Sequence, residues 1–284
     1  MIDEVQIRSR WESIPVGENI VGSLHRDFGG DYRTFFEAYD HWLYESQSHI
    51  LRALNQFDWK GKRVLEIGLG QGSDSEQLIQ RGALWSGIDL TRESVERVKR
   101  RLAIRNLPFD CLAQGSAVDL PFRDRCFDIV YSHGVLHHIP EIKRAQEEIR
   151  RVLASDGRLI IMLYARNSLN YLVSIRWVRR IGLALICLFR IPVVGIYSEH
   201  KRLARELGLR HYLKMENFIH RSTDGPNNPY SKVYDTKTIM ADFPAFEILR
   251  TFKLWMHAPP LPVHGLPGES LFGWHLWVEL KPRP

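Results

Sequence analysis

Two rhythms of apolar and polar residues divide this chain. Over the first sixty residues, apolar and aromatic positions recur at helical spacing, most clearly from Phe35 to Leu54, and predict helices packed as a cap on the remainder of the chain. From Arg63 the rhythm changes. Short apolar runs at Arg63–Ile67, Leu84–Ile88, Phe109–Ala113, Phe127–Ser132 and Arg158–Leu163 predict buried strands. Between them lie helical segments: Ser73–Gln80, Thr91–Asn106 with Thr91 as its N-cap, and Glu141–Leu153 closed by a turn at Asp156–Gly157. Strands alternating with helices predict an α/β, doubly wound sheet. The alternation stops from 166 to 234. Two last strands, Phe246–Leu254 and Trp274–Leu280, flank a loop rich in proline and glycine. The expected division is an N-terminal helical cap (1–60), a core (61–165), an insertion after the fifth strand (166–234), and C-terminal strands completing a seven-stranded sheet (235–284).

Composition changes this picture little. With 44% hydrophobic and 25% charged residues the chain is an ordinary globular one, which excludes disordered and fibrous classes. The net charge of +6 is modest, but 166–210 concentrates nine basic residues against two acidic ones. Three scattered cysteines form no CxxC pair, so neither a metal site nor a disulfide framework is expected. A cytoplasmic setting fits them, as does an N-terminus without a signal-peptide pattern.

The chemistry begins where the first strand runs into Gly68-Leu69-Gly70-Gln71-Gly72 and then a helix. Glycines let the backbone approach a ligand closely, and the helix start presents free N–H groups. Asp89, 21 residues after Gly68, ends the next strand, where a carboxylate can accept from both ribose hydroxyls. Nicotinamide dehydrogenases share that acid. Their GxGxxG fingerprint, however, requires a glycine where this chain has Ser73. Glu66, just before the loop, would repel a pyrophosphate but suits a cationic sulfonium ligand.

The runs VLEIGLGQG (64–72), GIDL (87–90), GSAVDLPF (115–122), FDIVYSHGVLHHIP (127–140) and DGRLIIMLY (156–164) occur in that order. They resemble the successive motifs of class I S-adenosylmethionine-dependent methyltransferases of the type 11 kind, in the branch that carries a VLHH signature. The resemblance spans about Arg63 to Tyr164. It implies a Rossmann-like fold, S-adenosyl-L-methionine as cofactor and S-adenosyl-L-homocysteine as product. It also implies that Glu66, Gly68, Leu69, Gly70, Gln71 and Gly72 surround the methionine part, that Asp89 binds the ribose, and that Leu90 packs on the adenine. Ser116 and Ala117 would meet the adenine amino group, although the family usually has Asp-Ala there. Ser132, His133 and Gly134 would line the reacting sulfur, and Tyr44 joins the set from the cap.

Methyl transfer requires alignment more than a base. Candidates for proton removal or substrate orientation are His133, His137, His138, Tyr164 and His220; for His137 a helix-start histidine bonded to backbone is the plainer reading. Asp224, Asn228 and Lys232 join His220 as candidates for substrate contact, with loop capping the plain alternative. Trp255, Trp274 and Trp277 read as core. In the insertion, the apolar run Ile181–Tyr197, broken by Arg190 and Pro192, is too short for a membrane span. Preceded by Arg176, Arg179 and Arg180, it reads as a helix at the periphery of an anionic membrane, as a lid over a lipophilic substrate, or as a buried helix with its arginines in solvent. The expected partner is a small-molecule acceptor. Nucleic acid is disfavoured, since the fourth strand ends in SHGV and not in an NPPY-type motif; Asn227–Tyr230 lies far downstream. A non-catalytic binding module is the other alternative.

Overall fold

The computed structural model describes residues 3–13 and 17–283; positions 1–2 and 14–16 of the expected cap, and 284, lie outside the described residues. Four helices precede the first strand: α1 (Glu4–Ser13), α2 (Glu18–Val21), α3 (Tyr32–Ser46) and α4 (His49–Leu54). The alternating part comes next as β1 (Arg63–Ile67), α5 (Ser73–Gln80), β2 (Leu84–Asp89), α6 (Arg92–Arg105), β3 (Cys111–Gln114), β4 (Phe127–His133), α7 (Ile142–Val152) and β5 (Leu153–Ala165). Beyond β5 come a π-bonded helix (Asn170–Arg179), α8 (Arg180–Leu188), α9 (Ile196–Glu206), α10 (Leu209–Tyr212) and α11 (Met215–Thr223). The chain closes with β6 (Val233–Tyr234), α12 (Thr236–Asp242), β7 (Phe246–Leu254), α13 (Glu269–Phe272) and β8 (His275–Pro282).

The sheet runs β3-β2-β1-β4-β5-β8-β7, with β6 as a short eighth strand beside the end of β5. Strands β1 to β5 are parallel, and β8 enters antiparallel between β5 and β7. Both faces of the sheet are covered, which is why its central strands are unbroken apolar runs. Val64, Trp85, Tyr131, Ile160 and Trp277 pack toward the N-terminal helices, and Leu65, Val130, Leu159 and Ile161 toward α7 and α12. Strand order reverses between β1 and β4, and a crevice opens there at the carboxyl ends of the strands.

Three local expectations shift. Strand β3 starts at Cys111, because the Asp110 N–H already bonds to Trp85 O and Phe109 packs edge-on against the Trp85 ring. The expected Asp156–Gly157 turn is absent: α7 passes directly into β5, whose extra residues between Leu153 and Arg158 bulge opposite Phe127 and Ile129 of β4. A Cβ at Gly157 would lie 3.0 Å from Ala154 O and 3.1 Å from Asp128 O, so the glycine lets the bulge close on itself and on β4. The run Ile181–Tyr197 is not one helix either. It ends at Leu188, turns at Arg190 with φ +55°, and resumes at Ile196.

A buried cation of α6 ties α3 to the glycine loop and α5. Arg101 of α6, 1% exposed, donates to both carboxylate oxygens of Asp40 at 2.8 Å, to Glu76 Oε2 at 2.8 Å and to Gln71 O at 2.8 Å. Its guanidinium also lies 4.5 Å from the centroid of Phe36. Burial alone would lower the Arg101 pKa, but Asp40 and Glu76 reverse that and hold it above its ordinary value. Removing one member of a buried ion cluster strands its partners without solvation. Arg101→Ala should therefore lose about 3–5 kcal/mol in urea unfolding; a loss under about 1 kcal/mol, the range of exposed pairs, would show that the cluster does not hold the two parts together.

Candidate cofactor and acceptor site

The crevice at the reversal point is a cavity of about 920 Å³. Its first wall is the turn after β1, where Gly68, Gly70 and Gly72 take φ of +81°, +52° and +79°. The three glycines are there for different reasons. A Cβ at Gly68 would sit 2.2 Å from Val135 Cγ2, and one at Gly72 would meet Val98 at 3.0 Å and Arg101 at 3.2 Å. Both are packing constraints. At Gly70 nothing lies within 4 Å, and the residue borders the cavity. Only this glycine keeps space open for a ligand.

Carboxyl groups surround that space. Asp89, at the end of β2, accepts from Leu69 N at 2.7 Å and from Thr91 N and Oγ1 at 2.8 Å. Burial pushes its pKa up against those bonds. Glu66 is 2% exposed and accepts from Trp85 Nε1 at 2.8 Å; burial, with Asp74 nearby, pushes its carboxyl to about 8. Asp74, in the first turn of α5, faces His133 Nδ1 at 2.7 Å and the Tyr131 hydroxyl at 2.6 Å. Burial raises Asp74, but the His133 charge and the bonds from His133 and Tyr131 outweigh it and hold its carboxyl low.

Most residues expected around a cofactor meet here: Glu66, Gly68, Leu69, Gly70, Gln71, Asp89, Leu90, Ser116, Ala117, His133 and Gly134 all line the cavity. Three do not. Gly72 packs under α6, Ser132 donates to Ile67 O at 2.9 Å within the sheet, and Tyr44 donates to Ser73 O at 3.3 Å behind the loop. Ser116 has a partner that no local pattern announces: its hydroxyl bonds the carboxylate of Glu4, in α1. Helix α1 crosses the cavity, lining it with Glu4, Ile7 and Trp11.

The far half of the cavity is aromatic. Tyr164 stacks on Trp274, with centroids 4.5 Å apart and planes at 18°, and Trp255 stacks on His257 at 4.0 Å and 13°. Trp255 and Trp274 thus form walls, whereas Trp277 is pure core. Asp224 accepts from the Tyr164 hydroxyl at 2.8 Å and lies 3.4 Å from His138 Nε2. His138 Nδ1 faces the Tyr230 carbonyl at 2.7 Å, so it carries the hydrogen and leaves Nε2 toward Asp224. His275, also on the wall, meets His49 Nε2 at 2.8 Å. His137 is fully buried, does not line the cavity, and is held neutral by burial. His220 and Asn228 form a knot with Ser231, and Lys232 bonds Asp242 at 2.5 Å; these three also stand off the cavity. Sequence reasoning does not single out Asp74, Glu4, His257 or His275. Only Asp74 carries a signal, as an acid one residue into the helix after the glycine loop.

Comparison with known proteins points to the same stretch of the chain. Residues 65–161 match the family described as "Methyltransferase domain". That stretch, about a third of the chain, is thus similar to a methyltransferase domain. In the chain, 104 residues are 38% identical to a fatty-acid O-methyltransferase of Mycolicibacterium smegmatis, covering 36% of this chain and 37% of that protein. A phthiotriol/phenolphthiotriol dimycocerosates methyltransferase of Mycobacterium ulcerans is 34% identical over 111 residues, 38% of this chain and 40% of its own. The chain thus spans about two fifths of the curated relatives it matches. A crystal structure of an S-adenosylmethionine-dependent methyltransferase from Mesorhizobium loti shares the fold, with a TM-score of 0.52 at 15% identity over 81% of this chain and 96% of that one.

Two outcomes test the glycine loop. Gly70→Val should stay folded, losing about 1–3 kcal/mol for a branched residue at positive φ, yet fail to bind adenosylhomocysteine in calorimetry. Gly72→Val should instead melt markedly lower, since it must displace Val98 and Arg101; equal melting of the two variants would remove the distinction. Glu66 gives a pH test. A carboxyl raised from 4.5 to about 8 stabilises the fold only while protonated, so its contribution fades as pH rises from about 4.5 through about 8. Unfolding of Glu66→Gln across that window should lack this decline, leaving the variant relatively more stable at pH 8 than at pH 5.

Proposed function

We propose that the protein binds S-adenosyl-L-methionine in this cavity and methylates a small lipophilic acceptor. The observation that carries the reading is the donor set around Gly70: an open glycine cradle ringed by Glu66, Asp74 and Asp89, with no lysine or arginine among the described lining residues. Such a ring repels a pyrophosphate and attracts a ligand with ammonium and sulfonium charges. S-adenosylmethionine, when bound, supplies the activated methyl group. Glu66, the Gly70 backbone and Asp89 would hold it, with Leu90, Ala117 and Ser116 toward the adenine. The chain's own work is to orient the acceptor between Tyr164, Trp274 and His138, to exclude water, and to take a proton at His138 Nε2 where the nucleophile must lose one. The named activities of the relatives support a lipophilic acceptor. On this reading 61–165 is the cofactor core, and the acceptor wall takes Thr223 and Asp224 from 166–234 and Trp255, His257, Trp274 and His275 from 235–284.

A peripheral membrane contact belongs to the same reading. Trp177, Ile181, Leu185, Leu188, Phe189 and Val194 are all exposed, Phe189 at 67% and Val194 at 87%. Trp177, Ile181, Leu185 and Leu188 recur three or four residues apart and so share one helical face. No helix among the described residues is long and apolar enough to cross a membrane, so the face would lie on the surface. Of the three arginines before it, Arg176 is exposed, while Arg179 turns inward to Ser222 O at 2.6 Å and Pro259 O at 2.8 Å.

Calorimetry tests the cofactor reading. Asp89→Ala should weaken adenosylhomocysteine binding by at least tenfold, each lost charged hydrogen bond being worth about 1.5–3 kcal/mol. Unchanged affinity in a folded variant would refute the ribose assignment. For the surface, the protein should sediment with anionic vesicles, and Phe189→Ser with Leu188→Ser should release it; no sedimentation with either vesicle charge would leave the face without a membrane role.

A further inference from the structure

The acceptor half of the cavity has a charge pattern that restricts what it can take. The described lining of the whole cavity has seven carboxyl groups and no lysine or arginine, and of the seven Asp224 belongs to this half. Asp224 stands on the acceptor wall beside the stacked pairs Tyr164–Trp274 and Trp255–His257. His257 and His275 do not offset it: burial drives His257 down to about 4 and His275 well below its ordinary value, so both are uncharged at neutral pH. His133 faces Asp74 at 2.7 Å, and His138 lies 3.4 Å from Asp224. Arg10, whose Nη2 donates to the Asp224 carbonyl at 3.4 Å, lies outside the lining.

We infer that this half selects a planar aromatic acceptor bearing an amine, and rejects carboxylates. The inference rests on the methyltransferase reading and narrows its acceptor class. Tyr164, Trp255 and Trp274 wall this space with rings, and aromatic rings favour flat partners and cations. A carboxylate entering the same space would leave water for a wall that holds Asp224 and offers no lysine or arginine among its described residues. The chain thereby departs from what the name of its fatty-acid O-methylating relative would lead one to expect.

The test uses two ligands with one ring and opposite charge, tryptamine and indole-3-acetate, with decanoate as the lipid-like carboxylate. Adenosylhomocysteine is titrated first by calorimetry; failure to bind sinks the cofactor reading and the inference with it. On its complex, tryptamine should bind at least tenfold tighter than indole-3-acetate, and decanoate should not compete. Asp224→Asn, which keeps an acceptor for Tyr164, should bring the tryptamine preference to within threefold while adenosylhomocysteine affinity stays within twofold. Equal or tighter binding of indole-3-acetate or decanoate overturns the inference and leaves the cofactor reading standing. Failure of both indoles to bind the complex overturns it too, because the walls would then not accept a ring. Should Asp224→Asn not fold, the wild-type preference decides alone.

Discussion

A single buried guanidinium sets the shape of this molecule. Arg101 joins Asp40 of α3, Glu76 of α5 and the carbonyl of Gln71 in the glycine loop, and stacks over Phe36. Its partners come from three separate segments of the chain. A neutral side chain at this place would leave Asp40 and Glu76 only the more distant Arg105, at 4.0 and 3.6 Å, as counter-charge. The cluster also explains Gly72, whose missing Cβ is the space that the Arg101 stem occupies. The loop that opens the cavity and the helices that cover it are therefore held by the same ion cluster. Ser73 reinforces it, donating from its hydroxyl to Asp40 at 2.6 Å.

On the other side of the loop, the constraint is like-charge crowding. Glu66, Asp74 and Asp89 converge on one cavity, and burial penalises the ionised form of each. Each solves this differently. Glu66 takes up a proton more readily, Asp74 is held ionised by His133 and Tyr131, and Asp89 is wired to the backbone of Leu69 and the cap of α6. A cationic ligand would relieve all three at once, which is why the cavity suits one.

The central strands are legible in the sequence because burial on both faces keeps them largely apolar; β1, β2 and β4 fall within a residue of expectation. Asp156–Gly157 misleads because glycine marks either a turn or a close strand approach, and only the partner strand tells which. Residues of the cofactor half are legible where they sit in one local motif, Glu66 to Gly72, or at a strand end, Asp89. The acceptor half is not. Glu4 meets Ser116 from 112 residues away, and Asp224 meets Tyr164 across 60. Sequence pattern carries no record of such contacts. It is likewise silent on Trp255 and Trp274, since a tryptophan that walls a cavity has the same local pattern as one that fills a core.

The exposed apolar face and the acceptor wall are not independent features. Arg179 ends the π-bonded helix from which Trp177 projects, and its guanidinium holds the carbonyls of Ser222 and Pro259. Ser222 is two residues before Asp224, and Pro259 two after His257, both on the cavity wall. The cost of burying this arginine shows in its pKa, which burial lowers to about 10, and the carbonyls it binds offset that cost. An exposed apolar surface is thus pinned, through one side chain, to two segments of the cavity wall. One of them, at 222–224, belongs to the insertion and the other, at 257–259, to the chain after it, so the pin joins the insertion to the C-terminal strands.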